Sequence, residues 1–184
     1  MEQIKIIFFA LASFFAIEDG RIAADKTTVI IYPENKEIEI IQENLFAVIQ
    51  SEKDSTLVLE QWNNILFWKE KNIAWAKELD NFNVKNFYLT TNKKTIQPYL
   101  ILGYCDEKDL RKMGIWYNKE KNKFSINESP QYNIKTESGE LMGNYWFFDG
   151  KEDFSFTVEP FLEFPKKYQE NKQYLSELLK ESKN

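Results

Sequence analysis

Carboxylates are the groups in this chain best suited to chemistry, because it contains no histidine. Three sets stand close in sequence: Glu37 with Glu39, Asp106 with Glu107 and Asp109, and Asp149 with Asp153. Two carboxyl groups can divide the roles of acid and base when burial or proximity separates their pKa values, as in glycoside hydrolysis. Each set also has a plain structural explanation. Glu37 and Glu39 alternate with Ile38 and Ile40, the pattern of a strand with one wet face. Asp106 suits a helix N-cap, with Asp109 near the positive end of the same turn. Asp149 and Asp153 flank a turn at Gly150. The stretch Asp149–Asp153 (DGKED) lacks the further spaced oxygens and terminal Glu of an EF-hand loop.

Missing residue types narrow the chemistry further. Without His there is no Ser-His-Asp or Cys-His arrangement and no imidazole metal site. The one Cys, Cys105, rules out an intramolecular disulfide and a thiolate metal cluster. It closes the apolar run Tyr99–Tyr104, so a buried, inert thiol is expected. The 6 glycines are scattered and form no phosphate-cradling loop. No Gly-x-Ser-x-Gly elbow occurs. The expectation is a protein that is not an enzyme, with no catalytic residue, no metal site and no cofactor.

Aromatic residues supply what catalytic ones do not. The chain holds 15 Phe, 9 Tyr and 5 Trp, more than a disordered chain carries. Large aromatic side chains left over after the core is filled mark contact surfaces, since they offer wide area at low entropy cost. The binding candidates are Trp68 and Trp75, on the expected long helix, and Tyr145 and Trp146, in the run Asn144–Phe148. A strand there puts Tyr145 and Phe147 on one face and Trp146 and Phe148 on the other. Trp116 and Tyr117 raise the same question.

The elements that position these residues follow from periodicity. Thr27–Tyr32 and Glu37–Gln42 flank Pro33–Lys36 and read as a hairpin. Asn44–Gln50 reads as a short helix or a continuation of that strand. Ser55–Leu79 carries apolar stripes at helical spacing, with a possible break near Lys71-Asn72. Asn86–Thr91 and Pro98–Cys105 read as strands, and Asp106 to Gly114 as a short capped helix. A meander follows: Ile115–Asn118 with Lys123–Asn127, Tyr132–Thr136 with Leu141–Phe148, and Phe154–Glu159 after the hairpin signal Asp149-Gly150. Pro165–Ser182 reads as a final helix. The fold class is α+β. A mostly antiparallel sheet of about six to eight strands is expected, packed by one long helix and a C-terminal helix.

The N-terminus bears on location. Met1–Lys5 is weakly charged, Ile6–Ile17 (IIFFALASFFAI) is apolar, and Ile22-Ala23-Ala24 offers small side chains, the layout of a secretory signal. The domains expected are thus a signal peptide over 1–24 and a single α+β domain over 25–184, with cleavage after Ala24 leaving the fold intact. The competing reading makes residues 6–17 part of the fold. The run is too short for a stable membrane span, which needs about 20 apolar residues. Net charge is −5, with only two arginines, Arg21 and Arg111, which argues against nucleic acid as a partner. The sequence therefore points to an exported, periplasmic or secreted protein-binding module of inhibitor or immunity type. The alternatives are a small-ligand carrier with an aromatic-lined pocket and a carboxylate-dependent hydrolase. If residues 6–17 belong to the fold, the same module is cytoplasmic.

Overall fold

A long hairpin organises the molecule. In the computed structural model, which describes residues 10–92 and 95–182, β1 (Ala23–Tyr32) pairs antiparallel with β2 (Glu37–Val48). The turn between them is Pro33–Lys36, closed by the Lys36 N–H donating to the Pro33 carbonyl. β2 then pairs with β4 (Thr95–Gly103), and β4 with β3 (Val84–Asn92). On the far side β1 pairs with β9 (Phe154–Val158). The order is β3-β4-β2-β1-β9, and β10 (Lys172–Tyr174) joins the distal end of β2. A second sheet has the order β5-β6-β8-β7, formed by Ile115–Asn118, Lys123–Asn127, Tyr145–Asp149 and Glu140–Met142 respectively. The class is α+β with antiparallel sheets. The described residues hold ten strands in two sheets, rather than six to eight in one.

Alternation decides which face of the large sheet is core. Phe87, Leu100, Ile40, Val29 and Phe156 are register partners across five strands, and all are buried. Ile38, Ile31, Leu102 and Phe154 form the next buried row. Burying one such side chain contributes about 1.5–3 kcal/mol, so these rows dominate the stability of the sheet. Val58, Trp62 and Ile65 of α1 (Glu52–Leu66) belong to the same core. The small sheet joins it through Phe148, which stacks on Phe154 at 4.3 Å. At Asn44 the backbone turns left-handed (φ 56), and the core side of β2 changes parity. Beyond that point Leu45 and Ala47 belong to the core, while Phe46 packs against Phe161 and Phe164 instead.

Residues 10–15 and 22–24 pack into this core, and the turn between them, residues 18–21, is exposed. Leu11–Phe14 form a 3-10 turn, Ala10 bridges Ala23, and Phe15 bridges Trp75. Leu11, Ala12, Phe14, Phe15, Ile22 and Ala24 are each at most 2% exposed. The expected cleavage point after Ala24 falls within β1. The earlier part of the apolar run, Ile6–Phe9, lies outside the described residues.

Several elements differ from their sequence reading. The helix expected over Ser55–Leu79 is α1, which stops at Leu66. The Phe67 N–H donates back to Asn63 and Ile65, and the turn that follows ends at Asn72 with φ 53. The break lets Trp68 and Trp75 fold back onto Phe15. Leu141–Phe148 is two strands, β7 and β8, joined through Gly143 (φ 61) and Asn144. Glycine at the first position of a two-residue loop permits that reversal. Tyr132–Thr136 is a 3-10 turn followed by a bridge, not a strand. Asp149-Gly150 does not join paired strands. The Gly150 N–H donates to Asn122, and β9 crosses to the other sheet. The final helix is divided into α2 (Lys166–Gln169), β10 and α3 (Leu175–Glu181), because the chain pairs with the free edge of β2 on the way. Cys105 is exposed rather than buried. β4 ends at Gly103, and Cys105 stands in the bend beyond it, after the buried Tyr104. The reading of Asp106 and Gly114 holds: Asp106 and Asp109 form a capping box, and Gly114 ends the turn left-handed at φ 77.

Candidate functional site

The small sheet turns one face to the core and the other to solvent. Its inner row is Ile115, Ile126, Trp146 and Leu141, which runs from buried at Ile115 and Ile126 through half-buried Trp146 to Leu141, 48% exposed on the edge strand; the neighbouring inner residues Phe124 and Phe148 are buried. Its outer row is Trp116, Ser125, Phe147 and Glu140. Beside that row Asn127, Tyr145 and Met142 form another. Tyr145 and Met142 are 39% and 43% exposed, and the Tyr145 and Phe147 rings lie 6.2 Å apart. The Arg111 guanidinium stands 5.1 Å from the Trp116 ring, a cation–π contact. On the other flank the row Asn118, Lys123 and Asp149 is polar. Trp, Tyr, Phe, Met and Arg within a polar frame is the composition of a protein contact surface.

The four aromatic candidates from the sequence do not converge. Tyr145 lies on this outer face. Trp146 lies on the inner one, and its indole N–H donates to the Glu128 carboxylate, so its polar atom is satisfied. Trp68 and Trp75 belong to a separate cluster. Trp75 stacks on Phe15 at 5.1 Å and meets Trp68 at 4.9 Å, while Phe15 meets Phe87 edge-on at 5.2 Å. Both are half-buried and pack against the core, where they hold residues 10–17 to the sheet. Trp116, Phe147, Met142 and Arg111 complete the outer face. Alternation alone places Tyr145 with Phe147. Placing Trp116 on the same face as these two needs the β5-β6-β8 register, which no local pattern encodes.

The large sheet has an uncovered side of its own. There Tyr88 and Tyr99 stack at 5.1 Å with an interplanar angle of 10°. The Tyr32 hydroxyl donates to Glu39 at 3.2 Å. Partial burial first, and then the Glu39 charge, raise the pKa of Tyr32 and of Tyr88 above its ordinary value. Glu39 thus serves this tyrosine cluster. Two of the other carboxylates have structural partners: Asp106 caps a turn, and Asp149 accepts the Lys151 N–H. Among the described residues no cluster of His, Cys, Asp and Glu could hold a metal ion.

A surface cleft of about 250 Å³ opens where β4 leaves β2. Its walls are Asn44, Leu45, Thr95, Ile96, Tyr174, Leu175 and Ser176. Pairing between β2 and β4 stops at Ile41 and Tyr99, next to Pro98, which has no N–H to donate. Tyr174 is the one aromatic in its lining. No helix among the described residues is long and apolar enough to cross a membrane. No family model, curated protein or solved structure matches this chain.

Proposed function

We propose that this protein is a non-enzymatic protein-binding module and that the outer face of the small sheet is its contact surface. The observation that carries the reading is one outer face on which Tyr145 and Met142 are exposed, with the half-buried Phe147 and Trp116 in the next row and Arg111 over the indole. Apolar side chains grouped on one solvent-facing surface and rimmed by polar residues mark a contact site. The net charge of −5 favours capture of a basic partner by electrostatic steering. An inhibitor or immunity-type protein, which acts by occupying its partner, fits this profile.

The test is co-purification from the native host with the wild-type chain and with Trp116→Ala and Tyr145→Ala. A partner held at stoichiometric ratio by wild type and lost by both variants, at unchanged thermal midpoint, supports the reading. The expected loss in affinity is at least about 30-fold for the better anchor, the scale of a contact hot spot. A partner retained equally by the variants, or none at all, overturns it. The same reading takes residues 10–24 as a retained part of the domain, on the strength of their burial. N-terminal sequencing of the native protein tests that point, and a mature chain starting at Asp25 would favour export.

A further inference from the structure

The edges of the two sheets are managed unequally. The outer edge of β9 is covered by the segment 132–138. Lys135 and Thr157 exchange backbone hydrogen bonds, the Glu159 N–H donates to Tyr132, and the Ser155 N–H donates to the Ser138 hydroxyl. The edge strands of the small sheet, β5 and β7, are four and three residues long. β3 is different. It pairs with β4 along its nine residues, from Val84 to Asn92, and no hydrogen bond among the described residues closes its other side. Natural edge strands are usually blunted by charge, proline, a bulge or a covering segment. β3 carries no proline and one charge, Lys85, and its register to β4 runs without a bulge. Val84 and Tyr88 are 50% and 40% exposed.

We propose that β3 is a dimerisation edge, at which two copies of the chain join their large sheets by antiparallel β3–β3 pairing about Tyr88. Tyr88 is the central residue of the strand. Pairing about it sets Phe87 opposite Leu89, Asn86 opposite Thr90 and Lys85 opposite Thr91. Lys85 therefore never meets its own copy, and an apolar pair forms on the core side. On the other side each Tyr88 already stacks on its own Tyr99, so the two stacks meet as a continuous tyrosine row. The contact is isologous and consumes the open edge of each copy. Because β9 is covered, the joined sheet ends there and the assembly closes as a dimer instead of growing into a fibre. This inference is independent of the aromatic face on the small sheet.

Sedimentation over a dilution series should give twice the 22.0 kDa chain mass at the concentrated end. Cross-linking fixes the register. In a Cys105→Ser background, Tyr88→Cys places two thiols directly opposite, with Cα atoms about 4.5–5.5 Å apart and within disulfide reach. Mild oxidation should convert that variant to a covalent dimer. Val84→Cys in the same background separates the thiols by about 27 Å and should stay monomeric on a non-reducing gel. Both positions are exposed, so folding should survive either change. A chain that is monomeric at every concentration overturns the proposal. So does a dimer in which Tyr88→Cys cross-links no faster than Val84→Cys.

Discussion

At the scale of single residues, Tyr104 is the clearest point of unspent stability. Its hydroxyl is buried and has no hydrogen-bond partner among the described residues. Burial, with a smaller contribution from the Glu107 charge, pushes its pKa well above the ordinary 10.0. An unpaired buried hydroxyl costs free energy that its removal returns. Tyr104→Phe is therefore expected to be neutral or to stabilise by up to about 1 kcal/mol in urea denaturation. A loss larger than that would show the hydroxyl to be engaged in the native protein. Residue roles set by near neighbours were legible in the sequence. The Asp106 cap and the Gly114 stop depend on a handful of adjacent backbone groups, and both stand in the structure. The exposure of Cys105 was not legible, because apolar neighbours say nothing about where the strand ends its alternation.

At the scale of elements, the start of α1 ties the N-terminal segment to the helix. Ser51 caps it, and Asp54 accepts from the Gln50 N–H, the Ser51 hydroxyl and the Arg21 guanidinium, the last at 2.8 Å. Those donors, led by the Gln50 N–H, hold the Asp54 carboxyl below its ordinary 3.8. A carboxyl with a lowered pKa in the folded state stabilises the fold above the unfolded value, and that stability fades as pH falls through the folded one. Asp54→Asn should thus lower the urea midpoint at neutral pH, and the gap to wild type should close in acid. An unchanged gap across that range would remove Asp54 from this role. Strands with clean alternation, such as Phe154–Val158, read correctly from the sequence. The long helix and the C-terminal helix did not. Aromatic residues at helical spacing over 67–76 fold back onto Phe15, and Lys172–Tyr174 pair with β2. In both places a partner distant in sequence outweighs local propensity.

At the scale of the whole molecule, the segment 10–24 gives six side chains to the core: Leu11, Ala12, Phe14, Phe15, Ile22 and Ala24. Phe14 and Phe15 are at most 2% exposed, and losing one buried Phe side chain costs about 3–5 kcal/mol. A domain is stable by only about 5–15 kcal/mol. A chain beginning at Asp25 is therefore expected to lose cooperative thermal unfolding and its near-ultraviolet circular dichroism. A transition matching the full-length protein would return these residues to the role of a dispensable leader. The sequence by itself determined the α+β class, the central hairpin and the small-sheet hairpin β5–β6, because period-2 patterns and turn residues act over a few positions. It also determined that the chain offers no histidine or cysteine cluster for chemistry. Only the tertiary structure decided that there are two sheets, that Trp116 and Phe147 lie in one row of the small sheet with Ser125 between them, and that the outer edge of β3 has no backbone partner among the described residues. Those outcomes depend on register between strands far apart in the chain. Register is set by the shared core, where burial of apolar area rewards one global arrangement over the local alternatives.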